Sequence, residues 1–288
     1  MDERVRAIDE CVRAMDEGVR INCWSGPRCL STALMYSWAQ RKDATCVDEP
    51  LYAHHLTRCP GVFRPYRAEL LRSQDADGSR VVAELAARPV AGALYAKHMA
   101  KHRVALGDAA FCAPFANVLL IRDPRRVVAS FHAKVRGWAE DAQDAAPEGA
   151  AALAADAAGA LFDETGFGDL ATIYDAVERL TGAPPVVVSA DRLQAAPEET
   201  LRALCAALRL PFDAAMLAWA PGPKRCDGLW AHHWYDSVHA SSGFRPTPLQ
   251  PPPATPDHLR HVVDRCLPIY RKLARRAVAE AVANELPL

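Results

Sequence analysis

The chain has 288 residues, half of them hydrophobic and 24% charged, a composition typical of a globular protein with a substantial core. Lysine and arginine number 34 against 35 aspartates and glutamates, so the net charge of −1 creates no field that favours nucleic acid or a membrane surface. The composition therefore predicts no nucleic-acid or membrane partner, and an anionic ligand would need a local group of basic residues.

The nine cysteines are scattered without a Cys-x-x-Cys pair, which argues against a zinc site and against a disulfide framework. The paired histidines at 232–233 lack a cysteine or carboxylate partner at ligand spacing, so no metal site is predicted. The first 20 residues are too charged for a signal peptide, and no apolar run reaches membrane-spanning length. These features predict a soluble, cytoplasmic protein.

Hydrophobic periodicity predicts alternating strands and helices along the chain. An apolar heptad repeated at 5–18 indicates a short amphipathic helix within an N-terminal extension, residues 1–18. Short apolar runs predict strands at 19–24, 44–48, 93–98, 116–122 and 184–190. Helical patterns predict helices at 31–42, 64–74, 80–88, 124–137, 169–182 and 197–208. This alternation indicates βαβ units, so residues 19–288 are predicted to form a single α/β domain with a central parallel sheet flanked by helices.

Two later stretches have a weaker pattern. An alanine-rich segment at 139–165 is interpreted as a loop-and-helix excursion over one sheet edge and is a candidate lid. A proline-rich segment at 250–257 precedes a last long helix, predicted at 256–285.

The turn after the first strand, GPRCLST at 26–32, has the layout of a phosphate-binding loop. A helix that begins directly after a strand offers free backbone N–H groups and the positive end of its dipole. Leu30 stands where nucleotide hydrolases have the lysine of their phosphate loop, and the cation of this turn is Arg28 instead. The pattern disfavours an NTP hydrolase and favours metal-free transfer of an anionic group. Taken alone, the turn is equally consistent with an ordinary strand–helix connection.

A second segment, NVLLIRDPRRVVASF at 117–131, runs from a buried strand into a helix. Arg122 ends this strand, at the edge where ligands bind in open α/β sheets, and Pro124 suits the first turn of a helix. Ser130 lies two turns into that helix and is expected to face the same crevice. The alternative is that Arg122 pairs with Asp123 and that Ser130 lies on the surface.

Together the two segments resemble the PAPS-dependent sulfotransferases, which share a P-[KR]-S-G-[ST]-[ST] loop and an R-[DN]-P-x-x-x-x-x-S element. Matches to the first pattern are Pro27, Arg28, Ser31 and Thr32, with Cys29 and Leu30 in place of the usual serine and glycine. Matches to the second pattern are Arg122, Asp123, Pro124 and Ser130. The resemblance implies a P-loop nucleotide-binding fold that uses 3′-phosphoadenylyl sulfate (PAPS). It also implies that Arg122 and Ser130 bind the 3′-phosphate of that donor. The residues implied to bind its 5′-phosphosulfate are Gly26, Pro27, Arg28, Cys29, Leu30, Ser31 and Thr32.

Further stretches extend the resemblance to residues 19–245. The segment 186–211 is similar to a strand–helix segment of the family and implies that Ser189 lies near the adenosine. The segment 222–244 occupies the place of the late cofactor-binding loop, with Lys224, Arg225 and Trp230 as its counterparts.

Catalysis of sulfuryl transfer depends on positioning and charge stabilisation more than on covalent chemistry. Arg28 would neutralise the leaving 5′-phosphate, a role that lysine usually has in the family. Two residues compete as the base that takes the acceptor's proton. His98 ends the YAKH strand, which is similar to the strand that carries the catalytic histidine of cytosolic sulfotransferases, and its ordinary pKa is near neutrality. Glu49 ends the second strand and could act once burial had raised its pKa.

The acceptor is predicted to be a small soluble molecule that carries a hydroxyl or, less favoured, an amine. His54, His55 and Trp234 are candidates to line its pocket, and His102 is expected at the surface. No oligomeric state is predicted.

Two other functions remain open from the sequence. One is a phosphotransferase or kinase-like enzyme that binds Mg-ATP, with Asp48 and Glu49 as the candidate magnesium ligands. The other is a non-catalytic nucleotide-binding domain, which the unusual Cys29-Leu30 pair and the poorly matching late loop favour.

Overall fold

Five strands form the centre of the protein in a computed structural model that describes residues 18–61, 64, 66–107, 112, 114–141 and 160–278. They are β1 (Val19–Ser25), β2 (Ala44–Asp48), β3 (Ala93–Met99), β4 (Ala116–Ile121) and β5 (Val186–Ser189). The strands are ordered β2-β3-β1-β4-β5, and every neighbouring pair is parallel. The predicted α/β fold with a central parallel sheet is confirmed.

Helices connect and flank the strands. The first six are α1 (Ser31–Trp38), α2 (Tyr52–Arg58), α3 (Arg67–Ser73), α4 (Gly78–Ala87), α5 (Pro124–Asp141) and α6 (Leu161–Thr165). The next six are α7 (Phe167–Thr181), α8 (Ala190–Ala195), α9 (Pro197–Ala207), α10 (Ala231–Trp234), α11 (Asp236–His239) and α12 (Arg260–Ala274). Short 3₁₀ helices cover Ala100–Arg103, Ala214–Leu217 and Asp257–Leu259. Within the described residues, no helix has both the length and the apolar character needed to cross a membrane.

Several predicted helices have different bounds in the structure. The first ends at Trp38 and not at residue 42, because Arg41 is buried and bonds to the Asp43 carboxylate and to the Pro211 carbonyl. Helix α2 was not predicted, because seven residues are too few to show a helical period. Helix α12 spans Arg260–Ala274, shorter than the predicted 256–285.

Some predictions fall on residues that the structure does not describe. The predicted N-terminal helix at 5–18 lies outside the described residues except for Gly18. Residues 142–159 of the candidate lid and residues 279–288 also lie outside them. The described end of the candidate lid forms α6, which packs next to the loop after β1.

The sheet is buried by one main core, and a second, smaller cluster of buried residues lies beside it. The second cluster joins α2 and α3 to the segment around α10, and its members are Tyr52, Leu56, Tyr66, Leu70, Trp230, Ala231 and Tyr235. Because Tyr52 follows the end of β2 by four residues, this cluster lies beside the carboxyl ends of the strands.

Candidate active site

A cavity of about 390 Å³ lies at the carboxyl edge of the sheet. Strands β1 and β4 are parallel neighbours, so the loop after β1 and Arg122 after β4 reach the same edge. The chain leaves β1 towards β2 on one side and later crosses to β4 on the other, and ligands bind at such a reversal of strand order. The cavity therefore occupies the position expected of a ligand site in this fold.

The loop at 26–32 has a strained backbone that passes close to α6. A Cβ atom at residue 26 would lie 2.3 Å from the carbonyl oxygen of Thr165, so only glycine fits at Gly26. Arg28 and Leu30 have φ angles of 60° and 62°, in the left-handed region that costs a side-chain-bearing residue about 1–2 kcal/mol. Leu30 occupies the N-cap of α1 and its side chain cannot cap the helix, so the N–H groups of the first turn are available to an anion.

Cys29 has a structural position in this loop. Its side chain is buried and its thiol donates to the Pro27 carbonyl at 3.4 Å. Burial raises the pKa of the Cys29 thiol to about 12, so the group is a neutral thiol at physiological pH. Cys29 holds the turn and does not line the cavity, whereas Pro27, Arg28, Leu30, Ser31 and Thr32 do.

Two arginines meet beside the loop. Arg28 Nε donates to Ser130 Oγ at 3.0 Å, and Arg122 Nη1 donates to the Arg28 carbonyl at 2.8 Å. Burial, and then the neighbouring Arg122, lower the pKa of Arg28, although a guanidinium stays charged. Asp191 Oδ1 lies 3.4 Å from Arg122 Nε and 3.4 Å from Arg126 Nε, so two guanidinium groups share one carboxylate. The loop end of the cavity therefore has an excess of positive charge that suits an anion.

At the ends of β2 and β3, a buried ammonium joins two carboxylates. Lys97 Nζ lies 2.8 Å from Asp48 Oδ1, 2.6 Å from Glu49 Oε1 and 2.6 Å from the Tyr235 hydroxyl, which itself donates to Asp48 at 2.7 Å. Burial alone would lower the pKa of Lys97, but the two carboxylates raise it above its ordinary value. Burial raises the pKa of Glu49, and Lys97 offsets part of that rise. Glu49 lines the cavity as a buried carboxyl with an elevated pKa.

A second ion cluster lies behind this one. Arg64 Nη2 donates to Glu164 Oε2 at 2.9 Å, and Arg64 Nε donates to the Tyr52 hydroxyl at 2.8 Å. Lys101 bonds to the same oxygen of Glu164. Burial would raise the pKa of Glu164, but the two cations lower it well below its usual range. Arg64 and Lys101 line the cavity, so this end of it also carries fixed charge.

His102 lies between the two ion clusters. Its side chain is 1% exposed and its ring stacks against Tyr52 and His55, with centroid distances of 4.4 and 4.8 Å. Its Nδ1 lies 3.8 Å from Glu49 Oε2. Burial and then the nearby His55 and Lys101 lower its pKa well below the ordinary value, so the ring is neutral. The expectation that His102 lies at the surface is wrong, because the 3₁₀ helix after β3 turns it inwards.

Comparison with known proteins identifies the family. The model of the sulfotransferase domain matches residues 19–277. The chain belongs to the sulfotransferase family. Its curated relatives include branched-chain-amino-acid aminotransferase-like proteins 2 and 1 of Arabidopsis thaliana, 38% identical over 254 and 258 residues. These matches cover 88% of this chain and 41% of each relative, so the chain spans about two fifths of their length.

A solved structure agrees on the fold. The crystal structure of a sulfotransferase from Alicyclobacillus acidocaldarius matches with a TM-score of 0.53 and 11% identity, over 91% of this chain and 98% of that one. At that identity the likeness shows a common fold only.

The structure does not bring His98 to the cavity of this sulfotransferase. Side chains of a strand alternate between its two faces, so Lys97 and His98 point in opposite directions. The His98 ring is buried, stacks on Trp24 at 4.3 Å and places Nε2 3.1 Å from Asn22 Oδ1. Burial lowers its pKa to about 3. This placement argues against the predicted role of His98 as a base and leaves Glu49 as the candidate.

The predicted acceptor-pocket residues separate into two groups. His54 is buried away from the cavity, where Nε2 lies 2.7 Å from the Val104 carbonyl and Nδ1 accepts from the Gly78 N–H at 3.2 Å. His55 packs behind His102 and does not line the cavity. Trp234 does line it, and its Nε1 donates to the Tyr66 hydroxyl at 2.8 Å.

The predicted adenosine-side residues are also divided. Ser189 is buried and caps α8 by accepting from the Arg192 N–H at 3.3 Å. Lys224 bonds to the carbonyls of Ala220 and Gly222, and Arg225 is exposed. Ser189, Lys224 and Arg225 are therefore not among the residues that line the cavity. Trp230 does line it and donates to the Tyr235 hydroxyl at 3.0 Å. Lining residues on this side that sequence reasoning missed include Gln194, Trp219 and Arg245.

Proposed function

We propose that this sulfotransferase moves a sulfuryl group from PAPS to a hydroxyl of a small acceptor molecule. The observation that supports this function best is the arrangement of one cavity. Arg28 and Arg122 meet beside the uncapped start of α1 at one end of it, and the buried Glu49 lines the other end.

The residues of the loop end fit a donor with two separate anionic groups. The strained turn, the N–H groups of α1 and the Arg28 guanidinium would hold the 5′-phosphosulfate, with Ser31 and Thr32 as hydroxyl donors. Arg122 would hold the 3′-phosphate. Its carboxylate partner, Asp191, is shared with Arg126, so one negative charge faces two positive charges and leaves positive charge for the phosphate. Ser130 contributes by fixing the direction of Arg28 through their 3.0 Å hydrogen bond. When bound, PAPS supplies the sulfuryl group, and the chain supplies charge and position.

The proton of the acceptor would pass to Glu49. Lys97 holds Oε1 of this carboxylate at 2.6 Å, whereas Oε2 lies 3.8 Å from His102 Nδ1 and is the candidate to take the proton. Because burial raises the pKa of Glu49, its ionised form is a stronger base than an exposed carboxylate. Arg28 would stabilise the negative charge that develops on the leaving phosphate, a task in which a fixed guanidinium needs no reorganisation.

The kinase-like alternative places magnesium at Asp48 and Glu49. Both carboxylates are bonded to the buried ammonium of Lys97, so a magnesium ion would have to displace a cation that is 1% exposed. This geometry favours metal-free transfer. The eight cysteines described are all free thiols, which supports the proposal of a reducing, cytoplasmic location.

Isothermal titration calorimetry tests the donor. We expect adenosine 3′,5′-bisphosphate to bind the wild-type protein, and Arg122→Ala to weaken its binding about 10-fold to 100-fold, the loss of one to two charged hydrogen bonds. Arg126→Ala is the matched control, because Arg126 shares Asp191 with Arg122 but does not line the cavity. Binding of Mg-ATP alone would favour the kinase-like function instead. Bisphosphate binding with no turnover of any acceptor would favour the non-catalytic domain.

A further inference from the structure

Lys101 carries a nearly buried ammonium with more hydrogen-bond donors than the protein uses. Its side chain is 12% exposed and lines the cavity. Within the part of the chain that the structure describes, Glu164 is the single group that bonds to this ammonium. An ammonium has three N–H donors and no acceptor, so two donors of Lys101 remain for a ligand or ordered water. Buried polar groups in folded proteins are nearly always hydrogen-bonded, so these donors indicate that a ligand binds here.

The carboxylate that Lys101 uses is shared with a second cation. The same oxygen of Glu164 accepts from Arg64 Nη2 at 2.9 Å, and Arg64 also lines the cavity. One negative charge therefore faces two positive charges in this cluster. The charges are reversed in the cluster of Lys97, where one ammonium bonds to two carboxylates. This end of the cavity thus has a positive side at Arg64 and Lys101 and a negative side at Glu49.

The pKa values of the two lysines follow the same difference. Two carboxylates raise the pKa of Lys97 above its ordinary value although the group is buried. Burial lowers the pKa of Lys101, because Glu164 offsets only part of the effect and the neighbouring Arg64 acts in the same direction as burial. A second carboxylate beside Lys101 would stabilise its charged form.

The positive side lies close to the proposed base. Lys101 directly precedes His102, whose Nδ1 lies 3.8 Å from Glu49 Oε2, and Lys101 is one of the charges that act on the pKa of Glu49. The Tyr52 ring, whose hydroxyl accepts from Arg64 Nε at 2.8 Å, lines this part of the cavity and favours an apolar or aromatic body. An anionic group near Lys101 and a reacting hydroxyl near Glu49 can therefore belong to one small molecule.

We propose that Arg64 and Lys101 bind a carboxylate of the acceptor, so that the acceptor is an organic acid that carries its reacting hydroxyl on an apolar or aromatic body. This inference rests on the proposed sulfuryl transfer and names the class of its acceptor. The carboxylate accepts from the donors of Lys101 that the protein leaves unused, and it supplies the negative charge that the two cations lack. A neutral amide accepts weaker hydrogen bonds, and an ammonium group is repelled by both cations.

Isothermal titration calorimetry at pH 7 tests this carboxylate site without turnover. The wild-type protein is first saturated with adenosine 3′,5′-bisphosphate, which occupies the phosphate positions of the loop end. It is then titrated with 4-hydroxybenzoate and 3-hydroxybenzoate, and each acid is compared with the neutral amide of the same shape. We expect at least one acid to bind about 10-fold to 100-fold more tightly than its amide, the usual contribution of a hydrogen bond to a charged group. Equal affinities in both pairs, or no binding of either acid, would overturn the proposal.

The variant Lys101→Met tests where the carboxylate binds. It removes one cation and leaves the hydrogen bond from Arg64 to Glu164 in place. The preference for acid over amide should fall about 10-fold in Lys101→Met and persist in Lys101→Arg, which retains the charge. Lys272→Met is the matched control, because Lys272 bonds to Asp175 at 2.8 Å and lies outside the cavity lining. The comparison of acid with amide on the wild-type protein does not depend on the folding of any variant.

The other outcomes separate this inference from the proposed function. A preference that Lys101→Met keeps and Arg28→Ala loses would place the carboxylate at the loop end, and the inference would be wrong. If the wild-type protein binds the bisphosphate but prefers neither acid to its amide, the inference fails while the proposed function stands. If the wild-type protein does not bind the bisphosphate, the proposed function fails, and this inference fails with it.

Discussion

Replacement of Lys97 by methionine tests whether the buried ion cluster holds the active-site end of the sheet together. The Lys97 side chain is 1% exposed and bonds to Asp48, Glu49 and the Tyr235 hydroxyl at 2.6–2.8 Å. Methionine has a similar length but no charge, so Lys97→Met leaves two carboxylates buried side by side without a cation. Breaking a buried ion pair in this way costs about 3–5 kcal/mol. We expect that loss in the free energy of unfolding at pH 8.

The loss should shrink as the pH falls. Burial already raises the pKa of Glu49, and removal of Lys97 raises it further because Lys97 is the group that offsets the rise. The folded variant therefore binds a proton that the unfolded chain, with an ordinary glutamate pKa near 4.3, releases at pH 5.5. Since the folded state holds more protons, stability increases as the pH falls towards that value.

Urea unfolding followed by tryptophan fluorescence at pH 8 and pH 5.5 measures both effects. The double variant Lys97→Met/Glu49→Gln is the control, because it removes one of the two unpaired carboxylates. It should recover part of the lost free energy of unfolding at pH 8. A loss below about 1 kcal/mol at pH 8, or an equal loss at both pH values, would refute the role assigned to Lys97.

Two further predictions concern the loop and the buried histidines. Gly26→Ala places a methyl group 2.3 Å from the Thr165 carbonyl oxygen, so we expect the free energy of unfolding to fall by about 1–3 kcal/mol in urea unfolding. Calorimetry should also show weaker binding of the bisphosphate. Unchanged binding would contradict the close approach of the loop to α6. Burial lowers the pKa of His55 and His98 to about 3 and that of His102 well below its usual value. Below pH 6.5 the histidines of the unfolded chain bind protons, whereas these three rings stay neutral in the folded protein. The free energy of unfolding should therefore decrease by up to about 4 kcal/mol for each unit by which the pH is lowered between pH 6 and pH 4. A free energy of unfolding that does not change with pH in urea unfolding would show that the rings titrate normally.

The sheet could be predicted from the sequence because buried parallel strands consist of continuous apolar runs. The run at 118–121 and the run at 186–188 are fully aliphatic, and each lies within a strand of the structure. The approach of Arg28 to Ser130 could also be predicted, since both follow strands that end at the same sheet edge, and the structure places Nε and Oγ 3.0 Å apart. Their roles in binding a donor remain predictions.

The direction of side chains at a strand end could not be predicted. Only His98 of the neighbouring pair Lys97 and His98 was predicted at the site, whereas alternation along β3 sends Lys97 to the cavity and His98 to the core. A shift of one residue would exchange them. Which of the two faces the site depends on the pairing of β3 with β2, where Lys97 lies opposite Asp48.

The second ion cluster, which joins Arg64 and Lys101 to Glu164, was missed because its members are remote in sequence. Arg64 and Glu164 are 100 positions apart, and nothing local distinguishes either from a surface charge. Only the fold reveals that both are buried and bonded. His102 was misplaced for a related reason, because the turn that buries it depends on packing against Tyr52 from another helix.

The departure of this loop from the family pattern leaves its backbone geometry intact. Leu30 stands where the pattern has glycine, and it adopts the left-handed φ of 62° that glycine would reach without strain. Cys29 stands where the pattern has serine, and its thiol bonds to the Pro27 carbonyl within the turn. The predicted phosphate cradle is made of backbone N–H groups at the start of α1, so it depends on the path of the chain more than on these two side chains. For that reason the Cys29-Leu30 pair is weak support for a degenerate site. The strain at Leu30 persists because Gly26 allows α6 to pack against the turn and the Leu30 side chain packs against the core.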